Sequence, residues 1–132
     1  MDLVQIGIIR SPYDREGLNK APRQGQKTVL SEIEIFKAYE AGLQGLEIGQ
    51  EVLVIYWADQ ADRTILKARS RATGPIKGVF SLRSPSRPNP ILITSCTLVD
   101  IKANTLTVAG LEALDQSALI DIKTTIKSPK DK

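Results

Sequence analysis

Apolar and polar positions along this chain fall into short blocks. Glu32-Ile33-Glu34-Ile35-Phe36 alternates with period two, the pattern of a half-buried strand. Val4–Ile9 is a short β-branched run that stops at Ser11-Pro12. Glu51–Trp57 is almost continuously apolar and predicts a strand covered on both faces. Leu66–Ala72 and Val79–Leu82 are weaker strand candidates. Ile91–Ile101 and Thr105–Leu111 flank Lys102-Ala103-Asn104, which reads as a hairpin turn, and Leu119–Ile122 closes the series. Only Lys37–Leu46 suggests a helix, kept short by Gly42 and Gly45. Many short strands with so little helix predict an all-β fold, a small barrel or sandwich. Repeated βαβ units, and with them a Rossmann fold, are excluded.

Composition narrows the function. The chain has 132 residues, 42% of them hydrophobic, which suits one domain over residues 1–127 with a fraying tail at 128–132. Histidine is absent, so Ser-His-Asp and Cys-His nucleophile systems and HExxH zinc sites are excluded. A lone cysteine, Cys96, forms no internal disulfide and offers no thiolate cluster, so no metal site is expected and a reducing, cytoplasmic compartment is. The N-terminal apolar run is too short for a signal peptide or a membrane span. The formal charge is only +3, but its distribution is uneven. Arg63, Lys67, Arg69, Arg71, Lys77, Arg83 and Arg87 occupy a stretch with no acid between Arg63 and Pro90. Such a run fits an anionic partner, or simply a solvated face.

Familiar cofactor loops fail. Gly7 stands alone after its strand, without a GxGxxG turn. Gly25-Gln26-Lys27-Thr28 lacks the upstream glycine of a phosphate loop. The densest chemistry lies in Gly78–Ile91, where Pro85, Pro88 and Pro90 forbid helix and central strand. They predict a rigid, extended loop presenting Arg83, Arg87 and the Asn89 amide. Arginine forks suit carboxylates and phosphates. A second loop, Pro22-Arg23-Gln24, has the same style but alone reads as an ordinary turn. Leu114–Lys123 leads from a turn-type Asp115-Gln116-Ser117 into a terminal strand. On pattern alone, Asp121 and Lys123 are its exposed face.

Together these stretches resemble the TrmO (TsaA-like) family of S-adenosylmethionine-dependent tRNA methyltransferases. The likeness spans nearly the whole chain. An IGxIxSP strand is seen as Ile6–Pro12, a PRQ loop as Pro22-Arg23-Gln24 and an EGLxGLE segment as Glu40–Glu47. The central signature GVFATRSPxRPNPIG(L/I)S is present as Gly78–Thr94, and the closing LDGTPVLDIKPY as Leu114–Thr125.

The resemblance implies a small β-barrel binding S-adenosyl-L-methionine outside any Rossmann framework, often as a homodimer. The implied reaction is methylation at N6 of the threonylcarbamoyl-modified adenosine 3′ of the tRNA anticodon. Carried over residue by residue, the cofactor site comprises Pro22, Arg23, Gln24, Asp59, Gln60, Arg83, Ile93, Asp115, Gln116, Ser117 and Ala118. Arg23 or Arg83 would take the methionine carboxylate or a phosphate, and Asp115–Ala118 the ribose and adenine. Asp121 or Asp59 would accept the N6 proton or orient that nitrogen. Arg87, Asn89 and Lys123 are candidates for contact with substrate, and the basic run for tRNA phosphates. The chain departs from the pattern at Glu51 and Asp59, where histidine is common, and at Leu92, where the family has glycine. The DGTP turn is Asp115-Gln116-Ser117-Ala118, and the aromatic residue of KPY is missing. Two other readings stay open: a methyltransferase of this fold on a non-tRNA substrate, and a non-catalytic module binding the cofactor or RNA.

Overall fold

The computed structural model describes residues 1–14, 28–69 and 71–126. The chain forms two compact units: Met1–Tyr56 with Ile93–Lys132, and Trp57–Leu92.

The first unit is a closed barrel. Strands β1 (Gly7–Arg10), β2 (Leu30–Ile35), β3 (Glu51–Trp57), β6 (Ile91–Lys102), β7 (Thr105–Ala109) and β8 (Ser117–Thr124) close in the order β1-β2-β7-β6-β3-β8. The all-β barrel expectation therefore holds, and closure leaves no free sheet edge. Alternate residues point inward, as the pleat requires. Ile9, Ile33, Val52, Val54, Leu98, Leu106, Val108 and Leu119 are fully buried. In β3 this corrects the two-sided burial expected from its apolar run. Val52, Val54 and Tyr56 are buried, whereas Leu53, Ile55 and Trp57 are only half covered.

Two local features shape the barrel. Gly7 pairs with Ile35, and a Cβ there would lie 2.2 Å from the Glu34 carbonyl oxygen. Between Leu98 and Asp100 the register of β6 against β7 shifts by one residue, which leaves Val99 in a bulge and bends the long strand.

The expected helix at Lys37–Leu46 is instead a 3-10 segment, Lys37–Leu43, with no buried residue. Nothing apolar is sequestered that would stabilise a full α-helix, and Gly45 turns left-handed at φ +99°.

The second unit holds an antiparallel hairpin of β4 (Lys67–Arg69) and β5 (Ile76–Gly78). The strand expected over Val79–Leu82 is a 3-10 turn, Val79–Ser81. Strand pairing ends at Gly78, so the apolar run that follows turns and buries Val79 alone.

Candidate functional site

In the barrel unit, strand order places the exit of β1, the end of β3, the start of β6, the segment after β7 and the start of β8 at one end. The Asp115 turn is fastened there. Asp115 donates its N–H to the Tyr13 carbonyl at 2.7 Å, and its Oδ1 accepts the Ser11 N–H at 3.0 Å. The Ser11 hydroxyl donates to the Ala113 carbonyl at 2.7 Å, and the Gln116 N–H to the Ile9 carbonyl at 2.8 Å. The Ser117 hydroxyl closes the turn on the Leu114 carbonyl at 2.6 Å. Gln116 is exposed and sits at φ +67°, the left-handed region that favours glycine. The position where the resemblance puts the glycine of the DG turn thus has left-handed backbone with Gln116 in its place. Tyr13 is 6% exposed, and its buried hydroxyl has no partner among the described residues.

Beside the turn runs a buried polar chain. The Tyr56 hydroxyl lies 3.0 Å from Thr94 Oγ1, which donates to Glu112 Oε1 at 3.2 Å. Ile93, next to Thr94, is 46% exposed. Sequence reasoning missed Ser11, Tyr13, Thr94 and Glu112. Ser11 and Tyr13 were visible only as the end of a strand motif, and the partners of all four are remote in sequence.

Asp121 and Lys123 lie elsewhere. With a rise of about 3.3 Å per strand residue, Asp121 is roughly 13 Å along β8 from Ser117. It lines a cavity of about 640 Å3 at the other end of the barrel, with Ile6, Tyr39, Leu43, Leu46 and Lys123. Its Oδ1 accepts the Ile122 N–H at 2.8 Å. The turn and Asp121 are thus not brought together within the barrel unit.

In the second unit the proline-rich loop is braced by arginines. Arg87 donates through Nη1 to the Leu82 and Ser84 carbonyls at 3.1 and 2.9 Å, and through Nη2 to the Val79 carbonyl. This corrects the expectation that the loop presents both arginines. Proline has no N–H to offer, so carbonyls in such a loop need another donor, and the Arg87 fork supplies it. Arg63 Nε donates to the Pro88 carbonyl at 2.8 Å, with its guanidinium 5.1 Å from the centre of the Trp57 ring. Arg83, Asn89, Asp59 and Gln60 are exposed. Asp62 accepts from the Thr64 hydroxyl and N–H at 2.6 and 2.8 Å, and both bonds lower its pKa, the hydroxyl more. Pro22, Arg23 and Gln24 lie outside the described residues.

Glu51, in a position where the family has histidine, accepts from the Ser95 and Thr97 hydroxyls at 3.1 and 2.5 Å. Cys96 is buried, and desolvation, aided by the Glu51 charge, pushes its thiol up to about 12. Its thiolate is not available as a nucleophile at neutral pH. Among the described residues there is no group of three or more acidic or cysteine side chains arranged to hold a metal, and no helix long and apolar enough to cross a membrane.

Residues 8–129 match the tRNA-methyltransferase O N-terminal domain (TrmO_N). The chain belongs to that family. Two relatives are named for the cofactor that they bind. An S-adenosyl-L-methionine-binding protein of Archaeoglobus fulgidus is 42% identical over 124 residues, covering 93% of this chain and 88% of that protein. A probable S-adenosyl-L-methionine-binding protein of Methanothermobacter thermautotrophicus is 40% identical over 119 residues, covering 89% and 85%. A crystal structure of TrmO from Pseudomonas aeruginosa superposes with a TM-score of 0.74 at 26% identity, covering 96% of this chain and 56% of that one. Another TrmO structure gives 0.78 at 28% identity, covering 96% and 57%. The TrmO_N chain thus spans little more than half the length of those solved proteins.

Proposed function

We propose that this chain is an S-adenosyl-L-methionine-dependent methyltransferase acting on tRNA, at N6 of the threonylcarbamoyl-modified adenosine 3′ of the anticodon. The observation that carries the reading is the fastened Asp115–Ala118 turn, which retains its left-handed residue inside a TrmO_N domain. The names of the archaeal relatives support the cofactor. The donor set also fits it. Gln116 offers an exposed amide, a group that a ribose or adenine edge satisfies. Arg83 is an exposed fork with no ion pair among the described residues, the donor that a carboxylate takes in bidentate fashion.

When bound, S-adenosylmethionine supplies a methyl carbon activated by its sulfonium. Transfer to N6 would form an N–C bond at the expense of the C–S bond, whose electron pair would stay on sulfur, and would release the N6 proton. The residues need only align the acceptor and receive that proton. Within the barrel unit the carried-over binding residues are Ile93 and Asp115–Ala118. The resemblance names Asp121 or Asp59 as the proton acceptor, and within the barrel unit Asp121 stands roughly 13 Å along β8 from the turn. The basic run would meet tRNA phosphates, and a homodimer is expected, to be read by sedimentation.

Calorimetry with S-adenosylmethionine and S-adenosylhomocysteine tests the first half: micromolar binding is expected, and none would remove the cofactor reading. Incubation with threonylcarbamoyl-modified tRNA, then nucleoside mass analysis, tests the second half by seeking that nucleoside one methyl heavier. Cofactor binding without tRNA methylation would favour a different acceptor. The limited coverage of the solved TrmO chains keeps that second reading in play.

A further inference from the structure

The second unit holds an aromatic ring in water. Phe80 is 84% exposed, yet the backbone on either side of it is pinned. Val79 is 1% exposed, its N–H donates to the Leu66 carbonyl at 2.9 Å, and its own carbonyl accepts both the Leu82 N–H at 3.1 Å and the Arg87 guanidinium. The Ser81 hydroxyl is tied to the Gly78 carbonyl at 2.8 Å. A large apolar side chain on a braced turn adds nothing to its own unit's core, and Leu66, whose carbonyl holds Val79, and Ile76 on β5 are 62% and 58% exposed as well, apolar surface of the kind that marks an interaction site.

Its surroundings state the partner's chemistry. Lys67 lies opposite Gly78 on the β4–β5 ladder, whereas Lys77, opposite Ala68, stands on the other face; Arg71 lies on the connection between the strands, and Arg83 a few residues beyond Phe80. All four are exposed, and none makes an ion pair among the described residues. No acid interrupts the sequence from Arg63 to Pro90. A cationic field around an aromatic face complements a polyanion whose bases present π-faces.

We propose that Phe80 is a stacking platform for an unpaired RNA base, with Lys67 neutralising a phosphate of the same strand. The proposal rests on the tRNA reading above and adds that the element grasped here is single-stranded. A base inside a duplex has both faces already stacked, whereas a loop base can be splayed onto a ring. Phenylalanine donates no hydrogen bond, so the contact tolerates any base, and its worth is independent of salt. Lys67 contributes through counterion release, which salt weakens. The two contributions are therefore separable by experiment.

The test measures anisotropy of a fluorescein-labelled anticodon stem-loop RNA, and of the same strand annealed to its complement, across a series of KCl concentrations. The wild type is expected to prefer the stem-loop. Phe80→Ala should weaken stem-loop binding about tenfold at every salt with an unchanged log–log slope, and Phe80→Trp should restore it. Lys67→Gln should flatten the slope by about 0.7, the value for one phosphate contact on a single strand. A thermal melt of Phe80→Ala like that of the wild type confirms that the fold is intact. Wild-type affinity and slope in Phe80→Ala would overturn the platform and leave the tRNA reading standing. No binding of any RNA by the wild type would remove that reading, and the platform with it. A dimer that becomes a monomer on Phe80→Ala would overturn the proposal in favour of contact between copies of the chain.

Discussion

An L side chain at position 7 has nowhere to go, because the paired backbone at Glu34 stands 2.2 Å from where its Cβ would be. Gly7→Ala should therefore cost roughly 1–3 kcal/mol by forcing β1 from β2, read as a lowered denaturant midpoint. At position 116 the strain has the opposite sign. Gln116 occupies φ +67°, at a cost of about 1 kcal/mol for an L residue, so Gln116→Gly should raise the midpoint by up to about that amount. An unchanged or lowered midpoint would mean the Gln116 side chain contributes more than its backbone strain costs. The need for glycine in the first strand was visible in the sequence only as a motif. The reason for it, a neighbouring carbonyl from another strand, exists only once β1 and β2 are paired.

Among elements, the proline-rich loop shows how a donor shortage is met. Arg87 satisfies the carbonyls of Val79, Leu82 and Ser84, so Arg87→Met should expose them and cost roughly 1–3 kcal/mol within the second unit. Faster amide exchange at Val79 and Leu82 is the direct readout, and unchanged protection would show that the prolines alone hold the loop. Its stiffness was legible, since proline fixes φ wherever it stands. The direction of Arg87 was not, since an exposed fork and a bracing one have the same sequence. The β6–β7 hairpin was legible for a similar local reason. Ala103 takes φ +54° at its tip, and the Asn104 amide donates to the Ile35 carbonyl at 2.7 Å. The helix expected over Lys37–Leu46 failed because local propensity has no access to what the segment packs against. No residue of the 3-10 segment is buried.

At the scale of the whole molecule, burial of Cys96 ties stability to alkaline pH. The folded-state pKa, about 12, lies above the ordinary 9.0, so the contribution is full below pH 9 and is lost as pH rises toward 12. Cys96→Ala should make the alkaline fall of the unfolding midpoint shallower, and an identical fall would remove the effect. Iodoacetamide at pH 8 should leave the native thiol unmodified and label it after denaturation. The barrel also separates two residues that the pattern had linked. The Asp115 turn and Asp121 share one short stretch of sequence, yet an extended strand carries them to opposite ends of the barrel. Asp121→Asn should therefore leave the affinity for S-adenosylmethionine within about twofold of the wild type, measured by calorimetry. A tenfold loss would place Asp121 at the cofactor after all.

The sequence by itself determined what depends on near neighbours. Period-two alternation and scarce helix set the all-β class, the absence of histidine excluded whole families of catalysis, and the RSPxRPNPI run identified the domain family. Tertiary structure decided what depends on residues far apart in the chain. The Ser11–Asp115 and Ser11–Ala113 bonds, the Tyr56–Thr94–Glu112 chain and the carbonyl that excludes a side chain at Gly7 all join segments separated in the sequence. Closure of the sheet sets which strand ends meet. No local pattern encodes that, because it arises from the joint burial of strands that touch only after the barrel has closed.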